Sequence, residues 1–184
     1  MIQESFSIDA AWGISGPCYV RKVDRRSHWT DGAKSIRERV FSADPDEHGV
    51  SVYRVQSPEE LARIAVALNA KRGSRTEDIF LVAIAVAEVG DIHVEQTDGD
   101  TTCEWANSVH HDLLAEREEQ IDVMINRMLS LSRAVKKFTR SAMRIAVQSA
   151  VCDGCLAAVD NSSSCRFESP CGTEPKSNSN ENGA

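Results

Sequence analysis

The sequence predicts an α/β or α+β fold in which a small mixed sheet carries a capped crossover helix, and a long C-terminal helix follows. Three observations predict this class. The run Asp78–Val89 alternates large and small apolar side chains, as a strand covered on both faces does. A valine-rich strand and a well-capped helix directly precede this run. From Asn107 to Asp153 the chain contains neither glycine nor proline, which favours helix.

The composition fits a single domain of ordinary size with an acidic surface. The chain has 184 residues, a hydrophobic fraction of 41% and a net charge of −7. This charge argues against a general nucleic-acid coat or a membrane-surface protein. No apolar run reaches the roughly 18 residues of a membrane span, and Met1–Ser5 lacks the basic start of a secretory signal. We therefore expect a cytoplasmic protein without a membrane partner, whose six cysteines are thiols or metal ligands before they are disulfides.

An N-terminal arm is expected over residues 1–20 and an α/β domain over residues 21–115. The arm is predicted because Gly13, Gly16 and Pro17 lie close together. Cys18–Val23 has the alternation of a short first strand. A short helix is expected near Ala33–Phe41, where apolar residues recur at roughly helical spacing.

The next elements predict a strand, a crossover helix and the central strand in succession. Val50–Gln56 is rich in valine and reads as a strand. Ser57, Pro58 and Glu60 form a capping box with proline at the first helical position, so a helix is expected to begin there and to end at Arg72. Its apolar stripe consists of Leu61, Ile64, Ala65 and Leu68. A right-handed parallel crossover follows from this order, with the helix on the alanine face of the central strand.

Two turn signals, Gly90-Asp91 and Thr97–Asp100, predict that the sheet ends in a hairpin. Gly90-Asp91 is typical of a two-residue hairpin loop, or else of a bulge in one longer strand. Ile92–Gln96 and Thr101–Trp105 have strand-like composition. The sheet is therefore expected to contain three to five strands.

One long helix is predicted over residues 108–151, because apolar residues recur there at heptad spacing. A helix of about forty residues spans about 60 Å, more than the diameter of a domain of this size. It must therefore fold back on itself or pair with another chain as a coiled coil. We expect the second outcome, with a dimer or another protein as partner. The predicted interaction seam consists of Leu114, Ile121, Met124, Met128, Leu131, Val135, Phe138, Ala142 and Ile145.

The remaining residues, 152–184, are expected to form a largely disordered tail that contains cysteines. A CxxC pair and two later cysteines raise the alternative of a structural zinc ion, because thiolates at this spacing can share one tetrahedral ion. Unpaired thiols or adventitious disulfides explain the same residues. No other cofactor is expected. The candidate metal ligands are Cys152, Cys155, Cys165 and Cys171.

A candidate ligand or catalytic site involves Cys103, His110 and His111. A thiolate nucleophile needs a nearby base, and His110 could serve as one. Polar residues at the start of a helix are the commoner explanation. The sequence has no phosphate-binding glycine loop, nucleophile elbow or HExxH motif. No catalytic residue is therefore assigned.

A group of basic residues in the second half of the predicted helix is the candidate site for phosphate contacts. Such contacts contribute affinity for nucleic acid that does not depend on base sequence. Phe138 is the one aromatic residue nearby, and it belongs to the apolar seam. A solvated helix face is the preferred interpretation. The residues are Arg133, Lys136, Lys137, Arg140 and Arg144.

Residues 21–115 resemble short bacterial proteins of unknown function at Trp29, Val40-Phe41, the run Val50–Arg54, His110 and Leu113. This resemblance implies no activity. The leading hypothesis is a non-enzymatic interaction or assembly subunit that associates through the long helix. The alternatives are a small enzyme or ligand-binding domain, and a nucleic-acid accessory protein with a basic helix and a zinc knuckle.

Overall fold

The computed structural model describes residues 2–23, 49–70, 77–101, 103–117 and 120–152. The strands are β1 (Cys18–Val23), β2 (Gly49–Val55), β3 (Ile79–Ala85), β4 (His93–Gln96), β5 (His110–Leu114) and β6 (Lys136–Phe138). The helices are α1 (Ile2–Ser5), α2 (Ile8–Trp12), α3 (Pro58–Ala70), α4 (Val86–Val89), α5 (Glu104–Ser108), α6 (Ile121–Leu131) and α7 (Arg140–Cys152). The helix predicted near Ala33–Phe41 and the tail from 153 onward lie outside the described residues.

The six strands form one sheet in the order β4-β5-β2-β1-β3-β6, and every neighbouring pair is antiparallel. The prediction of a mixed sheet is therefore wrong, because no two neighbouring strands among the described residues are parallel. Strands β2 and β3 do run parallel to each other, because both are antiparallel to β1. However, β1 lies between them and bonds to both. The strand-helix-strand pattern in the sequence predicts that β2 and β3 run in the same direction. It does not predict whether they are neighbours in the sheet, and the prediction of a mixed sheet assumes that they are.

Strand β3 is covered on both faces, as the alternation in its sequence predicts. Ile79, Leu81, Ala83 and Ala85 belong to a core that also contains Leu61, Ile64 and Ala65 of α3. The prediction that the capped helix covers the alanine face is therefore confirmed. On the opposite face, Val82 and Ile84 pack in a second core with α6. The molecule thus has helices on both sides of an antiparallel sheet.

Helix α3 begins where the capping residues place it. The Ser57 hydroxyl accepts a hydrogen bond from the Glu60 amide at 3.2 Å, and the Glu60 carboxylate accepts one from the Gln56 amide at 2.7 Å. The second bond reaches one residue further back than in the usual capping box. The first bond satisfies one of the amide groups that the first turn of a helix leaves without partners, and the second ties the residue before the N-cap to that turn.

Residues 2–20, where an N-terminal arm is predicted, contribute to the folded core. Phe6, Ile8, Trp12 and Ile14 are buried in the same core as α3. Phe6 stacks on Phe138 with ring centroids 4.8 Å apart. The glycines and the proline that suggested a loop mark only the short connection between α2 and β1.

The segment 108–151 contains β5, α6, β6 and α7, where the sequence predicts one long helix. Helix α6 is followed by an extended connection whose Arg133 amide donates to the Ala83 carbonyl of β3 at 2.8 Å. The heptad pattern arises because α6 and α7 each bury an apolar face in a different core. Met124 and Met128 lie in the core on the α6 side, and Met143 and Ala146 lie in the core on the α3 side.

The predicted end of the sheet also differs from the structure. The residues after β3 form the helical turn α4, and β4 pairs with β5 and not with β3. The predicted strand at Thr101–Trp105 lies partly in α5, which begins at Glu104. Gly90 has a φ of 69°, a conformation that glycine adopts easily. It ends the helical turn α4, where a two-residue hairpin loop is predicted. Within the described ranges no helix is both long and apolar enough to cross a bilayer.

Candidate functional site

Strand β4 lies at one edge of the sheet and pairs on one side only within the described residues. Its four residues pair with β5 from His93 opposite Leu114 to Gln96 opposite His111. The ladder continues past the strand, because the Thr97 amide donates to the His110 carbonyl at 3.2 Å. An edge strand of this kind carries backbone donors and acceptors that a further strand can use.

The hydrogen bond at Thr97 shows which backbone groups of β4 face outward. In an antiparallel pair, hydrogen-bonded and non-hydrogen-bonded positions alternate along the strand. Because Thr97 and His110 form a bonded position, Glu95 and His93 also direct their amides and carbonyls toward β5. Val94 and Gln96 therefore direct theirs away from the sheet. Val94 is half-buried and Gln96 is exposed.

A buried polar cluster holds β4 on β5 and β2. Both carboxylate oxygens of Asp112 accept hydrogen bonds, Oδ1 from the Ser51 hydroxyl at 2.9 Å and Oδ2 from the Thr97 hydroxyl at 2.7 Å. The Thr97 oxygen also lies 2.8 Å from His110 Nδ1. Asp112 and His110 are 8% and 7% exposed. The cluster thus joins three consecutive strands through side chains and fixes the position of the edge strand.

The cluster assigns the tautomer of His110. The single hydroxyl proton of Thr97 goes to Asp112, so the Thr97 oxygen accepts from His110 Nδ1–H, and Nε2 carries the lone pair. Burial lowers the pKa of His110, and the nearby Asp112 opposes that decrease. Burial likewise raises the pKa of Tyr53 to about 12, with a further increase from Asp100 and Asp112. The Tyr53 ring meets the His110 ring edge-on, with centroids 5.0 Å apart.

The loop between β4 and β5 folds back on itself through Asn107. The Asn107 side chain accepts from the Thr101 amide at 2.9 Å and donates to the Thr101 carbonyl at 2.9 Å. A Cβ added to Gly99 would lie 3.0 Å from Asn107 Cα and 3.2 Å from His110 Cβ. Glycine therefore allows the loop to approach the cluster closely, which limits the freedom of the residues that follow β4.

A cleft of about 230 Å³ adjoins the start of β4 and one side of α6. Val123 in its wall is 67% exposed, which is unusual for a large apolar side chain in the described part of the chain. Arg127 bridges to Asp91 at the rim, with 2.7 Å between Nη1 and Oδ1. The apolar residues that line the cleft are Ile92, Leu114, Ala115, Val123 and Met124.

The predicted site of Cys103, His110 and His111 is only partly assembled. His110 and His111 are neighbours on β5 and face opposite sides of the sheet, since side chains alternate along a strand. His110 belongs to the polar cluster, whereas His111 packs edge-on against Tyr19 in the direction of the other core. Cys103 is disulfide-bonded, so it has no thiol that could act as a nucleophile. The expectation that the cysteines are thiols or metal ligands therefore does not hold for Cys103. Because disulfides are rare in cytosolic proteins, this bond does not support the predicted cytoplasmic location.

The predicted interaction seam does not form one surface. Met124, Met128 and Phe138 are buried within this chain. Ile121, Leu131 and Val135 are partly buried against the α6-side core, and Ala142 against the α3-side core. Leu114 lies on β5 and Ile145 on α7, both half-buried. These residues therefore contribute to folding, and an intermolecular coiled coil would require them to leave their own cores.

The predicted phosphate contacts are spread over three elements. Arg133 bonds to Glu88 at 2.5 Å and Lys137 to Asp78 at 2.6 Å, which neutralises two of the five charges. Lys136 is half-buried on β6, and Arg140 and Arg144 are exposed on α7. The continuous basic helix that motivated the nucleic-acid alternative is thus absent from the described residues.

The metal prediction rests on residues that the structure does not describe. Cys152 ends α7 and its side chain is not described, and Cys155, Cys165 and Cys171 lie outside the described residues. Among the residues that are described, no three His, Cys, Asp or Glu side chains come together in a way that could hold a metal ion. The tail zinc site stays a prediction.

Comparison with known proteins adds no relative. No family model, no curated protein and no solved structure matches the chain. The edge strand, the polar cluster and the cleft are therefore the features that indicate a function.

Proposed function

We propose that this chain is a non-enzymatic interaction subunit that binds an extended polypeptide segment by strand addition along β4. The observation that carries the proposal is the outward direction of the Val94 and Gln96 backbone groups at a sheet edge. Strand addition of this kind gains affinity from backbone hydrogen bonds and specificity from pockets for alternate side chains. The sequence-based hypothesis of an interaction subunit is retained, with its surface moved from the heptad seam to β4.

The polar cluster supports this proposal because it orders the edge before a partner arrives. Thr97, His110 and Asp112 fix the end of β4 through bonds of 2.7 and 2.8 Å. An edge that is already ordered loses less conformational entropy on binding. The cleft supplies the apolar contact, since Val123 and Ile92 lie beside the start of the strand.

The small-enzyme alternative has one observation in its favour, the hydrogen-bond chain from Asp112 through Thr97 to His110. This series of hydrogen bonds is similar to those by which a carboxylate orients a catalytic histidine. However, His110 is only 7% exposed, and the atoms of the chain already join β4 to β5. We therefore assign the cluster to positioning the edge strand.

Val94→Pro is expected to abolish binding of extended peptides without unfolding the protein. Proline removes the outward amide of Val94, and edge positions whose amide points to solvent tolerate it. Val94→Ala is the matched control, because it removes the side chain and keeps the amide. The measurement is selection from a displayed library of random peptides on sparsely immobilised protein, with each variant in parallel.

Wild type and Val94→Ala are expected to enrich peptides in which apolar residues alternate, whereas Val94→Pro enriches none of them. Circular dichroism establishes that Val94→Pro is folded. Equal enrichment on the proline variant, or no enrichment on wild type, would contradict strand addition at β4.

A further inference from the structure

The composition of β4 limits which segments can pair with it. The strand is short and carries the exposed residues His93 and Glu95, a usual protection of edges against unspecific association. A charged residue such as Glu95 at an edge admits a partner only if that partner presents a complementary group opposite it. A suitable partner therefore combines an apolar residue near Val94 with a group that binds the Glu95 carboxylate.

Two copies of β4 satisfy this requirement in one register. Two-fold symmetry makes the pairing antiparallel and sets each residue opposite one fixed residue of the second copy. Because Val94 and Gln96 carry the outward groups, the two central registers are centred on Glu95 and on Val94. The first pairs the outward groups of Val94 with those of Gln96, and the second pairs the outward groups of Val94 with those of its own copy.

The two registers differ in the charges that they oppose. A register centred on Glu95 sets the two Glu95 carboxylates directly opposite each other, at the closely spaced non-hydrogen-bonded position, which is destabilising. A register centred on Val94 sets Val94 opposite its own copy and places each His93 opposite Glu95 of the second copy. The imidazole can then donate to the carboxylate at two equivalent places.

We infer that the partner of β4 is the β4 strand of a second copy of this chain, paired antiparallel about Val94. This inference rests on the proposed function and specifies its occupant. The product is a closed two-fold dimer in which one antiparallel sheet continues through both copies. Since the pairing segment is short, the dimer is expected to dissociate on dilution.

Sedimentation equilibrium of the full chain, from micromolar to millimolar concentration, tests the register through His93. His93→Lys places an ammonium opposite Glu95 and is expected to lower the dimer dissociation constant about tenfold, because the pair occurs twice. His93→Glu opposes two carboxylates and is expected to raise the constant about tenfold. His93→Glu combined with Glu95→Lys restores complementary charges and is expected to return the constant toward the wild-type value.

A chain that is monomeric at every concentration would overturn the inference, as would a dimer that responds to none of these substitutions. A Glu95→Gln variant separates the two registers. It weakens a dimer centred on Val94 and strengthens one centred on Glu95, and strengthening would therefore overturn the register.

Failure of this inference is distinguishable from failure of the proposed function. The peptide selection uses isolated immobilised copies that cannot meet. A monomeric chain whose wild-type form still selects peptides, and whose Val94→Pro form does not, overturns only the self-pairing.

Discussion

Met128→Ala is expected to lower the free energy of unfolding by about 2–5 kcal/mol, the usual cost of removing a large side chain from a packed core. Met128 is fully buried between α6 and the sheet. The loss of its side chain leaves a cavity that the neighbouring strands fill only in part. The measurement is urea denaturation at several protein concentrations.

Val123→Ala is the matched control for this experiment, because it shortens a side chain on the same helix that is 67% exposed. A change within about 0.5 kcal/mol is expected for it. If α6 were instead half of an intermolecular coiled coil, Met128→Ala would shift the oligomeric state and its effect would depend on protein concentration. Similar small effects of the two variants would contradict the burial of Met128.

Asp112→Ala is expected to cost about 2–4 kcal/mol, because it leaves the hydroxyls of Ser51 and Thr97 without their acceptor in a buried site. Asp112→Asn keeps one carbonyl oxygen that can accept a hydrogen bond, and is expected to cost less. Urea denaturation measures both variants.

The loss at Asp112 is also expected to loosen β4, since Thr97 is its link to the cluster. Peptide enrichment on Asp112→Ala should therefore decrease even under conditions in which the variant is folded. Stability of the alanine variant equal to that of wild type would show that the cluster does not hold the edge strand.

Local patterns predict those parts of the fold that local chemistry determines. Ser57 and Glu60 mark the start of α3, and the alternation in β3 shows that both of its faces are buried. These features depend on residues that are close together in the sequence. They are therefore independent of the order of the strands in the sheet.

Strand order and helix continuity depend on contacts between residues that are distant in the sequence. The sequence of one segment alone does not predict these contacts. The heptad spacing of Met124, Met128 and Phe138 is compatible with one coiled-coil helix and also with helices and strands that face two cores. The absence of glycine and proline permits a helix without requiring one. The extended connection after α6 forms because Arg133 bonds to the backbone of β3.

The candidate site was only partly predictable. The chemistry of its side chain indicates His110, and Asp112, to which Thr97 links it, lies two residues away on the same face of β5. A strand assignment would predict this shared face. Ser51 and Thr97 reach the cluster from β2 and from the end of β4, so their role depends on the register of three strands. The edge position of β4 likewise follows from sheet order alone.

Amide hydrogen exchange of Val94 and Gln96, measured residue by residue in solution, tests the role of the β4 edge most directly. In dilute protein these two amides are expected to exchange rapidly, while those of Glu95 and Thr97, which bond to β5, exchange slowly. At concentrations where the chain is dimeric, the Val94 amide is expected to be protected as well, because it bonds to Val94 of the second copy. Rapid exchange of Val94 in the dimer, or protection of both Val94 and Gln96 in the dilute monomer, would contradict the assignment of β4 as the interaction edge.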